Sequence, residues 1–232
     1  MNSLKINGTA LAGIYVDASL AFIKPAKDVE TFRIPGRNGA LVIDNGTWEN
    51  VTITYPCYTK SIATFESIIN QLGALSGYQK IECTNDTTHF RMGVPIIPQA
   101  PTAKRINTNF YFNLSFNCKP QRFLTSGDTT TTYSNTGTST LNNPTKFASK
   151  PLIRVTGNGK VTVNGTEITI AGTTGYTDID CEAMECFNGS TNRNANVSFN
   201  TNDFPTLAPG NNSIVRATGI TQVIITPRWW EL

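Results

Sequence analysis

The sequence predicts a mainly β protein of two domains with one helix, and three observations predict it. Hydrophobic residues make up 39% and charged residues 15% of the 232, the remainder being rich in Thr, Asn, Gly and Ser. Thr and the aromatics favour strands, while Asn and Gly favour the turns between them. Second, only residues 61–76 (SIATFESIINQLGALS) carry a sustained helical period. Third, the composition shifts at 125–149, where nine of 25 residues are Thr and only Tyr133, Leu141 and Phe147 can anchor to a core. Such a stretch cannot offset its ordering entropy unless it pairs as an edge strand. It reads as a linker, or as a long hairpin, between an N-terminal β domain at 1–124 and a C-terminal β-sandwich or jelly roll at 150–232, whose last residues either pack on their own domain or cross back to the first. A chain of this length suits one large domain or two ordinary ones.

In the helix, Ile62, Phe65, Ile69 and Leu72 recur at three- and four-residue spacing, and Ile68 and Leu75 widen the stripe. One face is therefore buried, against a sheet that the helix covers or plugs. Ser61 or Thr64 is the expected cap, and Gly73 or Gly77 the expected stop.

Before the helix, residues 4–6 lead into an Asn7-Gly8 turn, and 14–16, 20–23 and 29–33 are weaker strand candidates. Residues 41–43 and 51–55 flank Asp44-Asn45-Gly46. A three-residue turn there sets Leu41 and Ile43 on one apolar face with Val51, Ile53 and Tyr55; a two-residue Asn45-Gly46 turn would align them with Trp48 instead, and the first is preferred for its continuous apolar face. After the helix, residues 80–83 and 90–94 predict a hairpin around Asn85-Asp86. Residues 96–101, with two prolines and Pro95 just before them, predict an extended arm or crossing loop,. In 110–118, Phe110, Phe112, Leu114, Phe116 and Cys118 alternate with Tyr111, Asn113, Ser115 and Asn117. That is the pattern of a half-buried strand.

In the C-terminal part, a two-residue type I′ turn at Asn164-Gly165 puts Val161, Val163, Ile168 and Ile170 on one face, with Thr162 opposite Glu167. Residues 178–181, 195–199, 213–217 and 222–226 supply further strands, and their spacing suggests a sandwich or jelly roll.

Catalytic patterns are missing from the sequence. The single histidine, His89, lies in a turn-rich hairpin without a partner motif,. The five cysteines, Cys57, Cys83, Cys118, Cys181 and Cys186, are odd in number and form no CxxC. They read as buried free thiols. There is no nucleophile elbow and no phosphate loop. A formal net charge of +3 with scattered Lys and Arg gives no nucleic-acid patch,. Without a long apolar run or a signal pattern, a soluble chain made in the cytoplasm is expected, with no cofactor and no metal. Asp178, Asp180 and Glu182 can line one strand face as a paired-carboxylate or Ca²⁺ site, against the plainer reading of a solvated sheet face. Trp229 and Trp230 suit sugar stacking, or else tie the last strand to a core or a neighbouring subunit.

Several segments, in order, resemble the distal tail protein (Dit) family of long-tailed phages and prophages. They are 33–39 (RIPGRNG), 41–50, the helix, 78–83 (YQKIEC), 116–123 (FNCKPQRF), 143–159 (NPTKFASKPLIRVTGNG), 161–170, 204–212 (FPTLAPGNN) and Pro227-Arg228-Trp229-Trp230. The resemblance spans the whole chain. It implies an N-terminal β domain with one helix and a C-terminal galectin-like sandwich. It implies a homohexameric ring, formed by the N-terminal domains, at the virion tail tip. Its partners would be the tail tube protein, a tail-associated lysin or spike protein and, in some phages, receptor-binding proteins. DNA would pass through the channel without specific binding. On this reading the segment 33–55 forms ring contacts, with Arg33, Arg37, Trp48 and Tyr55 as interface candidates. The plainer reading of Arg33 and Arg37 is solvated loop charge. No block in 150–226 is large enough for an inserted carbohydrate-binding module, and a galectin-like fold does not by itself imply sugar binding.

Three functions follow in order of preference. The first is a structural ring component that is not an enzyme. The second is a lectin-like module for host cell-wall saccharide, using Trp229 or Trp230. The third is a glycosidase using Asp178, Asp180 or Glu182.

Overall fold

The alternating run after residue 109 becomes the longest strand of the protein and organises its first half. A computed structural model describes residues 2–17, 23–97, 104–106 and 109–232. The expected strand at 20–23 and arm at 96–101 fall largely outside these residues. The chain divides into two compact units, residues 1–122 with Leu232, and residues 123–231.

The first unit contains β1 (Leu4–Ile6), β2 (Thr9–Ala10), β3 (Ile14–Val16), β4 (Lys27–Arg33), β5 (Ala40–Trp48) and β6 (Val51–Thr59). Helix α1 (Ile62–Gly73), β7 (Gln79–Cys83), β8 (Asp86–Ile96), β9 (Lys104–Ile106) and β10 (Asn109–Leu124) follow. Its main sheet runs in the order β2-β1-β7-β8-β10-β6-β3, with β9 also on β10. Phe112, Leu114, Phe116 and Cys118 of β10 point into the core, as the alternation requires. They meet Val51, Ile53, Tyr55 and Cys57 of β6, which share their face through the antiparallel register,.

Helix α1 covers that face. Phe65, Ile68 and Leu72 are buried, Ile69 and Leu75 pack partly against the core, and the Phe65 ring meets Phe112 edge-on at 4.8 Å. Ile62, expected in the stripe, is exposed on the flank. Ser61 stands at the N-cap with extended backbone but makes no side-chain cap, and the last turn ends at Ala74 in right-handed geometry. Packing of the apolar face, rather than capping, holds this helix.

The predicted pairing of 41–43 with 51–55 does not occur. β5 is a continuous strand that, among the described residues, pairs only with β4, in a separate two-stranded sheet. The Asp44-Asn45-Gly46 signal marks a bulge instead. Lys27 pairs with Trp48 and Val29 with Asp44, so one residue between them opposes three,. Gly46 takes the positive φ of 72° that this kink needs, and its N–H donates to Asp44 Oδ1 at 2.9 Å,.

The second unit is built from β11 (Thr131–Tyr133), β12 (Gly137–Asn143), β13 (Leu152–Gly157), β14 (Gly159–Val163), β15 (Thr166–Ile170) and β16 (Tyr176–Asp180). It continues with β17 (Glu185–Asn188), β18 (Thr191–Asn192), β19 (Val197–Phe199), β20 (Gly210–Arg216), β21 (Ile220–Thr226) and β22 (Trp230–Glu231). One sheet has the order β11-β21-β13-β16-β17-β18 and the other β12-β20-β14-β15-β19. Both feed one core, with Ile153, Ile179 and Ile225 from the first and Val161, Ile168 and Ile214 from the second. This is a β-sandwich. Asn164 and Gly165 have φ of 49° and 86°, so the type I′ hairpin forms, with Thr162 opposite Glu167,. Residues 125–149, read as a linker or long hairpin, instead supply β11 and β12, each the edge strand of one of these sheets. Leu124 N–H donates to Trp229 O at 2.9 Å, and Trp229 lies in this core. Among the described residues, no helix is long and apolar enough to cross a membrane.

Candidate assembly surface

The β4/β5 ribbon has no core of its own. Val29, Phe32, Ile34, Leu41, Val42 and Ile43 are all exposed, Val42 by 59%. The register distributes them over both faces. Val29 opposite Asp44 and Thr31 opposite Val42 share one face, whereas Glu30 opposite Ile43 and Phe32 opposite Leu41 share the other. An isolated two-stranded ribbon is marginal in water, and an apolar patch of this kind marks a surface that another surface covers.

Polar contacts organise its base. Lys27 pairs with Asp44, and the Asp28 carboxylate accepts from Thr47 Oγ1 at 2.9 Å and Asn45 Nδ2 at 3.2 Å. The Lys27 ammonium and the Gly46 N–H hold the Asp44 carboxyl below its ordinary value,. Lys27 Nζ also stands 5.9 Å from the centre of the Trp48 ring,. At the other end, Arg33 closes β4, and Arg37 N–H donates to Ile34 O at 3.2 Å in the exposed tip loop. Of the four interface candidates, the ribbon therefore carries Arg33, Arg37 and Trp48. Tyr55 is separate: it is buried in the core, edge-on to Phe116 at 5.9 Å. Its place in the Val51-Ile53-Tyr55 alternation explains this, since all three point inward from β6.

A second surface feature lies on the outer face of the main sheet. Tyr15, Tyr58 and Tyr111 form a row across β3, β6 and β10, with ring centres 5.3 and 5.6 Å apart. Thr54 and Ser115 hydroxyls meet at 2.9 Å on the same face. The row supplies apolar area with polar tips and little entropy to lose on contact.

The groups that suggested chemistry in the sequence are otherwise engaged. Arg154 clamps Asp178 at 2.7 and 2.8 Å and lies 4.1 Å over the Tyr176 ring. Arg228 clamps Asp180 at 2.7 and 2.8 Å and reaches Glu182 at 3.9 Å. Charge neutralised in this way does not form the paired-carboxylate site expected of a glycosidase. His89 Nδ1 lies 3.1 Å from Asp86 Oδ1, and Asp86 also accepts from Arg122 Nη2 at 2.6 Å. Among the described residues, no group of three His, Cys, Asp or Glu side chains could hold a metal ion. Trp229 is 4% exposed, and Trp230 stacks on Phe147 at 4.4 Å while its Nε1 donates to Ala148 O. These two rings fasten the end of the chain to the second unit and leave no open stacking platform.

The sequence matches no family model and no curated protein. Solved structures do match. The Dit (gp 19.1) protein of phage SPP1, described as a paradigm of the hub adsorption apparatus in phages infecting Gram-positive hosts, aligns with a TM-score of 0.66 at 12% identity, over 97% of this chain and 98% of its own. A chain of the phage P2 baseplate in its activated conformation with Ca aligns at 0.54 and 8% identity, over 97% of both chains. The same baseplate with Sr aligns at 0.55 and 8% identity, over 97% of this chain and 98% of that one. End to end, this mainly β chain has the fold of the phage Dit-type tail hub.

Proposed function

We propose that the protein is a structural component of the tail tip of a long-tailed phage or prophage, in which copies assemble into a ring. The observation that carries this reading is the β4/β5 ribbon, apolar on both faces and exposed. Covering it stabilises an assembly by roughly 1.5–3 kcal/mol for each large side chain fully buried. The ribbon and the tyrosine row are unlike surfaces of one unit. A contact between unlike surfaces is head-to-tail, and it closes into a ring when the rotation permits. The full-length likeness to hub and baseplate chains supports the same role. In this reading the ring is a homohexamer that joins the tail tube protein to the tail-associated lysin or spike and to receptor-binding proteins. DNA passes through its channel, and the protein works by shape, without catalysis.

The test is multi-angle light scattering of the purified chain, with negative-stain electron microscopy alone and with its tube partner. Six-fold rings are expected. A strict monomer at high concentration, with no ring in either preparation, overturns the proposal.

A further inference from the structure

The second unit contains a cleft of about 560 Å³, whose lining includes Cys181, between Asp180 and Glu182 in the chain, but neither of those carboxylates nor either tryptophan. Lys150, Asn164, Met184, Asp203, Phe204 and Asn211 are among its lining residues. The size falls within the range of small-molecule sites.

Part of the wall is fixed. Asn164 Nδ2 donates to Thr206 O at 3.1 Å and to Asn212 Oδ1 at 2.5 Å, and Asn164 Oδ1 accepts from Ser213 N–H at 2.9 Å. Thr201 Oγ1 donates to Asp203 O at 2.9 Å, and the Phe204 ring leans on Phe199 at 4.5 Å. Three polar side chains of the lining are uncommitted. Among the described residues, the Lys150 ammonium, the Asp203 carboxylate and the Asn211 amide have neither a hydrogen bond nor an ion pair, and the two charges do not pair with each other. Met184, on the rim, is 63% exposed and sits at a positive φ of 56°, a backbone geometry that unbranched non-glycine residues seldom adopt,.

A ligand for this cleft must donate to a carboxylate, accept from an ammonium, engage an amide both ways and present an apolar face to Phe204 and Met184. Its net charge must be near zero, because the two charges of the wall cancel. A pyranose ring has these properties: vicinal hydroxyls on its edge and C–H groups on its face. The geometry points to a neutral saccharide residue as the ligand of this cleft, bound through side chains other than the two tryptophans. This inference does not depend on ring assembly.

The test is saturation-transfer difference NMR on the full chain, with methyl glycosides of glucose, galactose and N-acetylglucosamine as probes and glycerol phosphate as an anionic polyol. At least one glycoside is expected to receive saturation at its ring protons. Asp203→Ala and Asn211→Ala, both at exposed positions, are expected to weaken that binding at least tenfold. The control Lys5→Ala, on β1 of the first unit, is expected to leave it unchanged. Absence of transfer to all three glycosides overturns the inference. So does binding that survives both cleft variants, or binding of glycerol phosphate alone.

Discussion

Arg228 and Asp180 form a two-pronged ion pair, Nη1 to Oδ1 at 2.7 Å and Nη2 to Oδ2 at 2.8 Å. Arg228 holds a positive φ of 56°, and its N–H donates to Gly127 O at 2.7 Å. The pair thus clamps the strand end at Asp180 to the turn that delivers Trp229 into the core. Burial alone would raise the Asp180 carboxyl. The hydrogen bonds from Arg228 and from the Ala183 and Glu182 N–H groups outweigh that and hold it below the ordinary value of 3.8,. A carboxyl depressed in the folded state stabilises fully above the unfolded value, and the effect is lost as pH falls through the lower folded value. Arg228→Met should therefore destabilise by about 2 kcal/mol at neutral pH. Thermal melts down an acid series should show the gap to the parent narrowing below pH 3.8. A gap that stays constant into strong acid would mean the ion pair is not its source.

Phe32→Asp combined with Val42→Asp should abolish self-association while leaving the fold intact. Both side chains are exposed and lie on opposite faces of the ribbon, so neither face can then be covered without burying a carboxylate,. Away from core contacts, such changes shift stability by only about 0.5 kcal/mol. Light scattering and thermal melting measured together check this. Rings that persist in the double variant would move the interface elsewhere.

The two adjacent tryptophans should behave differently. Trp229→Ala empties a site in the sandwich core and should cost about 3–5 kcal/mol,. Trp230→Ala removes a stack on Phe147 and one hydrogen bond to Ala148 O, a loss of about 1–2 kcal/mol,. Denaturant titration separates the two. Equal losses would show that Trp229 is not the core anchor its burial indicates.

What could be read from the sequence was what local period encodes. The helix stripe at Phe65, Ile68 and Leu72, the alternation through Phe116, and the Asn164-Gly165 hairpin each announce themselves within a few residues. Asp44-Asn45-Gly46 misled because the same glycine geometry serves a bulge as well as a turn, and nothing local says which partner strand will come. Tyr55, named as an interface candidate, lies in the core instead, where its spacing from Val51 and Ile53 should have placed it. β11 and β12 were not legible, since Thr-rich edge strands have no apolar alternation and take their order from distant β21 and β20. The segment 33–55 was named as a ring contact, but the pairing that turns β5 outward on β4 was missed for a related reason. Apolar alternation tells that a face will be covered, and not whether its own chain or another covers it. The cleft residues come from loops and strand ends spread between Lys150 and Asn211, so no motif collects them.

The five thiols should be silent in the folded protein and fully reactive in the unfolded one. All are buried and free. Burial pushes Cys57 and Cys181 up to about 12 and Cys186 up to about 11. Burial raises Cys118 to about 11 as well, although the Arg91 guanidinium opposes it. Cys83 is raised by burial too. The reacting species is the thiolate, so both its scarcity and its inaccessibility suppress attack on a disulfide reagent at neutral pH. Titration with Ellman's reagent should give no prompt release in buffer and five equivalents in guanidinium. The slow native reaction should follow the opening rate of each unit, so a destabilised Trp229→Ala variant should speed labelling of Cys181 and Cys186 while leaving Cys57 and Cys118 protected,. Uniform acceleration at all sites would show that the two units open as one.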